Sequence, residues 1–209
     1  HGEHQHQHVV PAQHRPYEHH THDRDVDHSL ARGRHPMPIP EWQAQETPFR
    51  FHGCNALFRE FTPKVLVATD KPIAAHIEET GYPKTNTFYT RKPTKDSGAL
   101  EIPKPYFAFS SGPAALALAA TQRYPRIYLL GFDMGPTETK QFNNLYAGTE
   151  FYKAEGSVPT YTGNWVKQVR QVCKEFPAIR FIRVCGSTTA RIQELDAISN
   201  MQHLDLNQF

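Results

Sequence analysis

From residue 49 onward, short apolar runs alternate with longer stretches in which apolar side chains recur every three or four positions. FRFHGCN (49–55) reads as a short strand and ALFREF as a helical turn after it. KVLVATD (64–70) is a continuous apolar run of the kind found in strands buried on both faces. PIAAHIEETG (72–81) predicts a helix, with Pro72 in its first turn, Ile73 and Ile77 on one face and Gly81 as the cap beyond its end. NTFYTR (86–91) and PYFAF (105–109) read as further strands, joined through the polar, turn-rich loop around KPTKDSG. The strongest helical segment is SGPAALALAATQRY (111–124), where Ser111 is placed to cap, Pro113 fits the first turn, and Leu116 and Ala120 share a face. RIYLLGFD (126–133) then predicts a strand, NWVKQVRQVCKEFP (164–177) a helix, AIRFIRVCG (178–186) a strand and TARIQELDAIS (189–199) a last helix. Alternation of this kind favours an α/β fold: a Rossmann-like, mostly parallel sheet flanked by helices with right-handed crossovers.

The first 48 residues follow a different rule. Ten of the 13 histidines lie before residue 36, together with Pro11 and Pro16 and few bulky apolar side chains. Such a stretch lacks the means to build a core, so the chain divides into a His/Pro-rich extended arm (1–48) and a Rossmann-like α/β domain (49–209). Residues 1–50 hold 5 basic against 7 acidic side chains, and the remainder 18 against 14. With an overall charge of only +2, nothing advertises a nucleic-acid surface. No apolar run approaches the roughly 18 residues a spanning helix needs, and the first residues do not resemble a secretory signal, so a membrane role is not expected. Host cytoplasm or a virion is the expected location. The cysteines, Cys54, Cys173 and Cys185, are odd in number and widely spaced, which points to buried free thiols rather than to a disulfide framework or a zinc knuckle. His4, His6 and His8 alternate, which on an extended chain puts three imidazoles on one face and makes them a candidate divalent-metal site. The alternative is a solvated tail that gains charge on acidification.

In open α/β sheets, ligands bind beyond the carboxyl ends of the strands, where loops and helix N-termini turn their N–H groups into a common crevice. Each predicted strand here ends in polar residues: Asn55 after the first, Thr69 and Asp70 after the second, Ser110, Ser111 and Gly112 after PYFAF, and Asp133 after RIYLLG. Glycine at 112 would let an anion approach the backbone. For each there is a plain alternative, since Asn55 can hold a turn and Asp70 and Ser111 can cap helices. Between Asp133 and Asn164 runs a long polar and aromatic loop containing Asn143, Asn144, Tyr146, Tyr152, Lys153 and Tyr161. A connection of that length suits either a lid over a sugar or phosphate or a protein-binding surface. No G-x-x-x-x-G-K-[ST] or G-x-G-x-x-G motif is present, so neither a P-loop nor a dinucleotide fingerprint is supported.

FHGCNALFREF with the following strand, and SSGPAALALAATQRYPRIYLLGFDMG with its Tyr/Asn-rich loop, resemble the nucleotide-binding domain of glycosyltransferase family 42 sialyltransferases and related MptE-like proteins. The strings GCNALFREF and NNLYAGTEFYK are also similar to uncharacterised proteins of tailed bacteriophages. The resemblance covers about residues 50–185. It implies that Asn55 contacts a cytidine nucleotide, that Ser111 and Gly112 form the helix start beside it, and that Tyr146 and Tyr152 are candidates for the phosphate-binding tyrosines. Two departures stand out. The family opens with a strand and a Gly-Asn-Gly-Pro-Ser loop that nothing in residues 1–50 matches, and its general-base histidine is missing, since no histidine lies between His76 and His203. Asp133 or a tyrosine would have to replace it.

The expectation is therefore a non-catalytic or weakly catalytic phage protein of nucleotide-binding ancestry, acting in virion structure or assembly, its arm contacting other protein subunits. A nucleotide-sugar-dependent, sialyltransferase-like glycosyltransferase is the alternative. The candidate nucleotide-binding residues are Asn55, Asp70, Ser110, Ser111, Gly112, Asp133, Tyr146 and Tyr152. The candidate ligands are a nucleotide or nucleotide sugar and, on the arm, a divalent metal.

Overall fold

A computed structural model of the chain describes residues 49–136, 140–159, 161–187 and 189–209, together with the backbone of residues 8–12. They form an eight-stranded sheet of β1 (His8–Ala12), β2 (His52–Cys54), β3 (Val65–Ala68), β4 (Phe88–Thr90), β5 (Leu100–Glu101), β6 (Arg126–Leu130), β7 (Arg180–Cys185) and β8 (Met201–Asp205). Across the sheet the order is β5-β4-β3-β2-β1-β6-β7-β8. β2 to β5 pair in parallel, as do β6 to β8, and β1 lies antiparallel between β2 and β6. Because β1 runs against both neighbours, β2 and β6 point the same way, and seven strands present their carboxyl ends at one edge. This is an alternating α/β architecture with a mostly parallel sheet between helices, consistent with a Rossmann-like fold.

Register assigns the side chains to the two faces. Leu66 and Ala68 of β3 pack with Phe88 and with Ile73, Ala74 and Ile77 of α1 (Lys71–Glu79). Val67 faces the opposite layer, where α2 (Ser111–Thr121) and α3 (Gly163–Glu175) cover Ile127, Leu129 and Phe181. Every residue of α2 from Ser111 to Ala120 is buried, which accounts for its run of alanines: a helix wedged between sheet and α3 has no polar face to show. Gly53 sits opposite Leu66 in β2, and a Cβ there would displace the end of the Leu57 side chain packed over it. α1 ends as its sequence suggests, with Gly81 left-handed (φ 75°) just beyond the C-terminal turn.

Several expectations are corrected. PYFAF is not a strand: Lys104–Tyr106 forms a short 3-10 turn, and Tyr106 and Phe109 are buried by packing into the α2 layer rather than by strand pairing. The pairing strand in this region is the two-residue β5 before it. The last helix is only α4 (Gln193–Asp196), and MQHLD after it is the edge strand β8. A strand does open the sheet, in residues 8–12, although it is antiparallel and comes from the stretch read as an arm. His8 pairs with Leu130 in that strand, and His4 and His6 lie outside the described residues. Among the described residues no cluster of three metal-ligating side chains occurs, and no helix is long and apolar enough to cross a membrane.

Candidate functional site

Asn55 follows the last residue of β2 and opens the 3-10 turn Asn55–Arg59. Its backbone is left-handed, with φ 53°, a conformation asparagine tolerates better than most residues. Its side chain is 1% exposed, and Oδ1 has no hydrogen-bond partner among the described residues. A buried amide oxygen left unsatisfied costs about 1–3 kcal/mol. Strain and desolvation therefore meet at one residue, on the edge where such sheets take their ligands.

Ser111 does not cap α2. Its Oγ accepts from the Thr69 amide at 3.0 Å and lies 3.0 Å from Thr69 Oγ1, tying the start of α2 to the end of β3. The N-terminus of α2 carries no side-chain cap: Ser110 stands at the N-cap position, and its own amide donates to Gln168 Oε1 of α3 at 2.9 Å. Gly112 is buried in the first turn. Asp70 occupies the N-cap position of α1, half-buried, without capping it through its side chain.

The loop after β6 crosses to the other half of the sheet. Ala56, next to Asn55, donates its amide to Tyr152 Oη at 3.3 Å, and the rings of Tyr146 and Tyr152 lie 5.8 Å apart. Arg59 donates to the Glu150 carbonyl at 3.5 Å and lies 5.9 Å from the Phe151 ring, which also packs against His76 at 5.2 Å. Residues 146–152 thus sit over the turn that follows β2. Burial pushes both phenols well above the ordinary tyrosine range, and at Tyr146 the nearby Glu60 carboxylate adds to the effect. Both remain neutral hydrogen-bonding groups at physiological pH. Asn144 closes a turn within the loop by accepting from the Tyr146 amide at 2.9 Å, while Tyr161 is 73% exposed.

Asp133 belongs to a second cluster on the same edge. Its carboxylate accepts from Thr189 Oγ1 at 2.8 Å, and Thr189 Oγ1 in turn accepts from the Gly186 amide at 3.0 Å. Beneath it lies Arg183, 1% exposed, which donates to the carbonyls of Phe132 (2.8 Å), Asp133 (2.8 Å) and Ala190 (2.9 Å). Burial draws the guanidinium below its ordinary range, and the Cys185 and Asp133 groups oppose that shift.

No family model, curated protein or solved structure matches this chain.

All the candidate residues described therefore lie at the carboxyl edge of the sheet, divided between two clusters. Asn55, Ser111, Tyr146 and Tyr152 collect around the ends of β2 and β3, and Asp133 is bonded into the loops after β6 and β7. Sequence reasoning named Thr69 as a polar strand end but not its pairing with Ser111, 42 positions away, and it missed Arg183, which lies 50 from Asp133, because no local pattern betrays either contact. It also grouped all three cysteines as buried thiols. Cys54 and Cys173 are fully buried, but Cys185 at the end of β7 is partly exposed.

Proposed function

We propose that this chain binds a nucleotide or nucleotide sugar at the ends of β2 and β3, with little or no catalytic activity. The buried Oδ1 of Asn55 carries the reading: among the described residues it is an acceptor without a donor, and the exocyclic amine of a base or a sugar hydroxyl would supply one. The uncapped N-terminus of α2 offers favourable field to a phosphate, and the Tyr146–Tyr152 segment would close over the ligand. Weak catalysis follows from the groups available as a base. Both tyrosines hold their protons at neutral pH, and the Asp133 carboxylate is bonded to Thr189. A sialyltransferase-like activity is the alternative form of the same proposal.

Calorimetry with CMP, CDP, UDP and GDP sugars tests it, and an absence of heat at millimolar ligand would end it. Asn55→Gly is the matching variant, since glycine accepts the left-handed backbone and removes the stranded oxygen. Binding is expected to weaken about tenfold or more, while the melting temperature holds or rises. A fall in both would mean that Asn55 serves the fold alone.

The assembly role in a virion belongs to this proposal as well. Residues His8–Ala12 are used within the chain's own sheet, so contacts with other subunits would fall to other parts of the first 48 residues. Sedimentation of the full chain tests this, and a monomer at every concentration would refute it.

A further inference from the structure

We propose that Cys185 is a nucleophilic thiol, with His203 as its base and Asp196 holding the imidazole, and that it takes an acyl group from an activated ester. The three residues come from separate elements: Cys185 ends β7, His203 lies on the adjacent edge strand β8, and Asp196 ends α4. In the parallel register His203 sits opposite Arg183, two residues before Cys185, so imidazole and thiol share a face of the sheet. Cys185 Sγ lies 3.8 Å from His203 Nδ1, and His203 Nε2 lies 3.1 Å from Asp196 Oδ1. The order is nucleophile, base, orienting carboxylate.

The carboxylate fixes the tautomer. With its proton on Nε2, His203 donates to Asp196 and turns the lone pair of Nδ1 toward the thiol. The other charged groups facing the pair are Arg183 on β7, Arg191 before α4, Asp133 in the loop after β6 and Asp205 on β8. Burial raises the thiol above its ordinary range, with Arg183 opposing the shift, whereas burial and Arg183 hold His203 below its own. At rest the pair is therefore a thiol and a neutral imidazole, the state in which a base can still accept a proton. The thiol has a second acceptor in the Arg183 carbonyl, 3.6 Å away, so its proton must turn to Nδ1 as the electrophile arrives.

The step balances as follows. The thiol proton moves to His203 Nδ1 as Sγ bonds to the ester carbonyl carbon. Collapse of the tetrahedral adduct breaks the carbon–oxygen bond, and the departing oxygen recovers the proton from Nδ1. The products are S-acyl Cys185 and an alcohol or phenol.

The test uses the full chain and p-nitrophenyl acetate, with nitrophenol release followed optically and the acetyl group located by peptide mass mapping. The thioester is expected on Cys185 and not on Cys54 or Cys173, which are both 0% exposed. His203→Gln should slow acylation at pH 7 about 100-fold, and the rate should then rise with pH along the thiol's own ionisation. Asp196→Ala should cost about tenfold, and Asp196→Asn at least as much, because its amide N–H can face Nε2 and move the ring proton to Nδ1, where the imidazole no longer accepts from the thiol. A purely structural role for His203 would leave the pH profile unchanged. The proposal is overturned if His203→Gln, folded by circular dichroism, acylates Cys185 at the unsubstituted rate between pH 6 and 9, or if Cys185 takes no acetyl group.

Discussion

Arg183→Met is expected to destabilise the protein by about 3–5 kcal/mol, since each buried carbonyl left without its donor costs about 1–3 kcal/mol. Methionine keeps most of the apolar stem, so the loss isolates the guanidinium. That group supplies hydrogen bonds to three carbonyls, those of Phe132, Asp133 and Ala190, drawn from two loops that follow different strands, and the Asp133 oxygen accepts from the Ala190 amide as well. Without it the oxygens at the end of β6 lose charge-assisted donors, and the loop bearing Thr189 loses its anchor. Arg183→Lys should recover only part of the loss, because one ammonium cannot reproduce a planar fork aimed in three directions. Urea denaturation measures both, read as a lower midpoint at unchanged slope. A methionine variant within about 1 kcal/mol of the parent would show that the apolar environment repays the lost bonds.

Acidification should weaken the fold through His52. Its imidazole is 3% exposed in β2, and burial lowers its pKa from 6.5 to about 4. Between those values the unfolded chain binds a proton that the folded chain refuses, so the unfolded state gains as pH falls. Stability contributed by the neutral ring is complete above pH 6.5 and disappears on the way down to pH 4, by about 3 kcal/mol in all. His203 is also lowered by burial and adds to the same trend. His52→Leu removes one titration and leaves the other. Thermal unfolding between pH 4 and 7 should show a shallower loss for the variant, and parallel curves would assign the acid sensitivity elsewhere.

The parallel scaffold was readable because its strands are apolar on both faces. In KVLVATD, Leu66, Val67 and Ala68 are all buried, so nothing but a covered sheet accommodates the run. Edge and borrowed strands gave no such signal. In β8 only Met201 is buried, and β1 is five residues set among histidines, with Pro11 lacking the N–H that a central strand ordinarily donates. PYFAF misled for the opposite reason: aromatic residues are buried as well by a 3-10 turn against a helix as by a strand. At the candidate site, the polar residue after each strand was visible in the sequence. The burial of Asn55, the Thr69–Ser111 pair and the crossing of the Tyr146–Tyr152 segment were not, because each depends on contacts between elements far apart in the chain.

The central position of β1 imposes an order of events on folding. Its partners on one side are residues 126–130, and it meets β2 only through Val9 and His52. During synthesis residues 8–12 must wait for more than a hundred further residues before their main neighbour exists, a long-range closure of the kind that slows folding. Until it arrives the sheet is two separate parallel ribbons with unsatisfied inner edges, which makes this short strand the keystone that joins them.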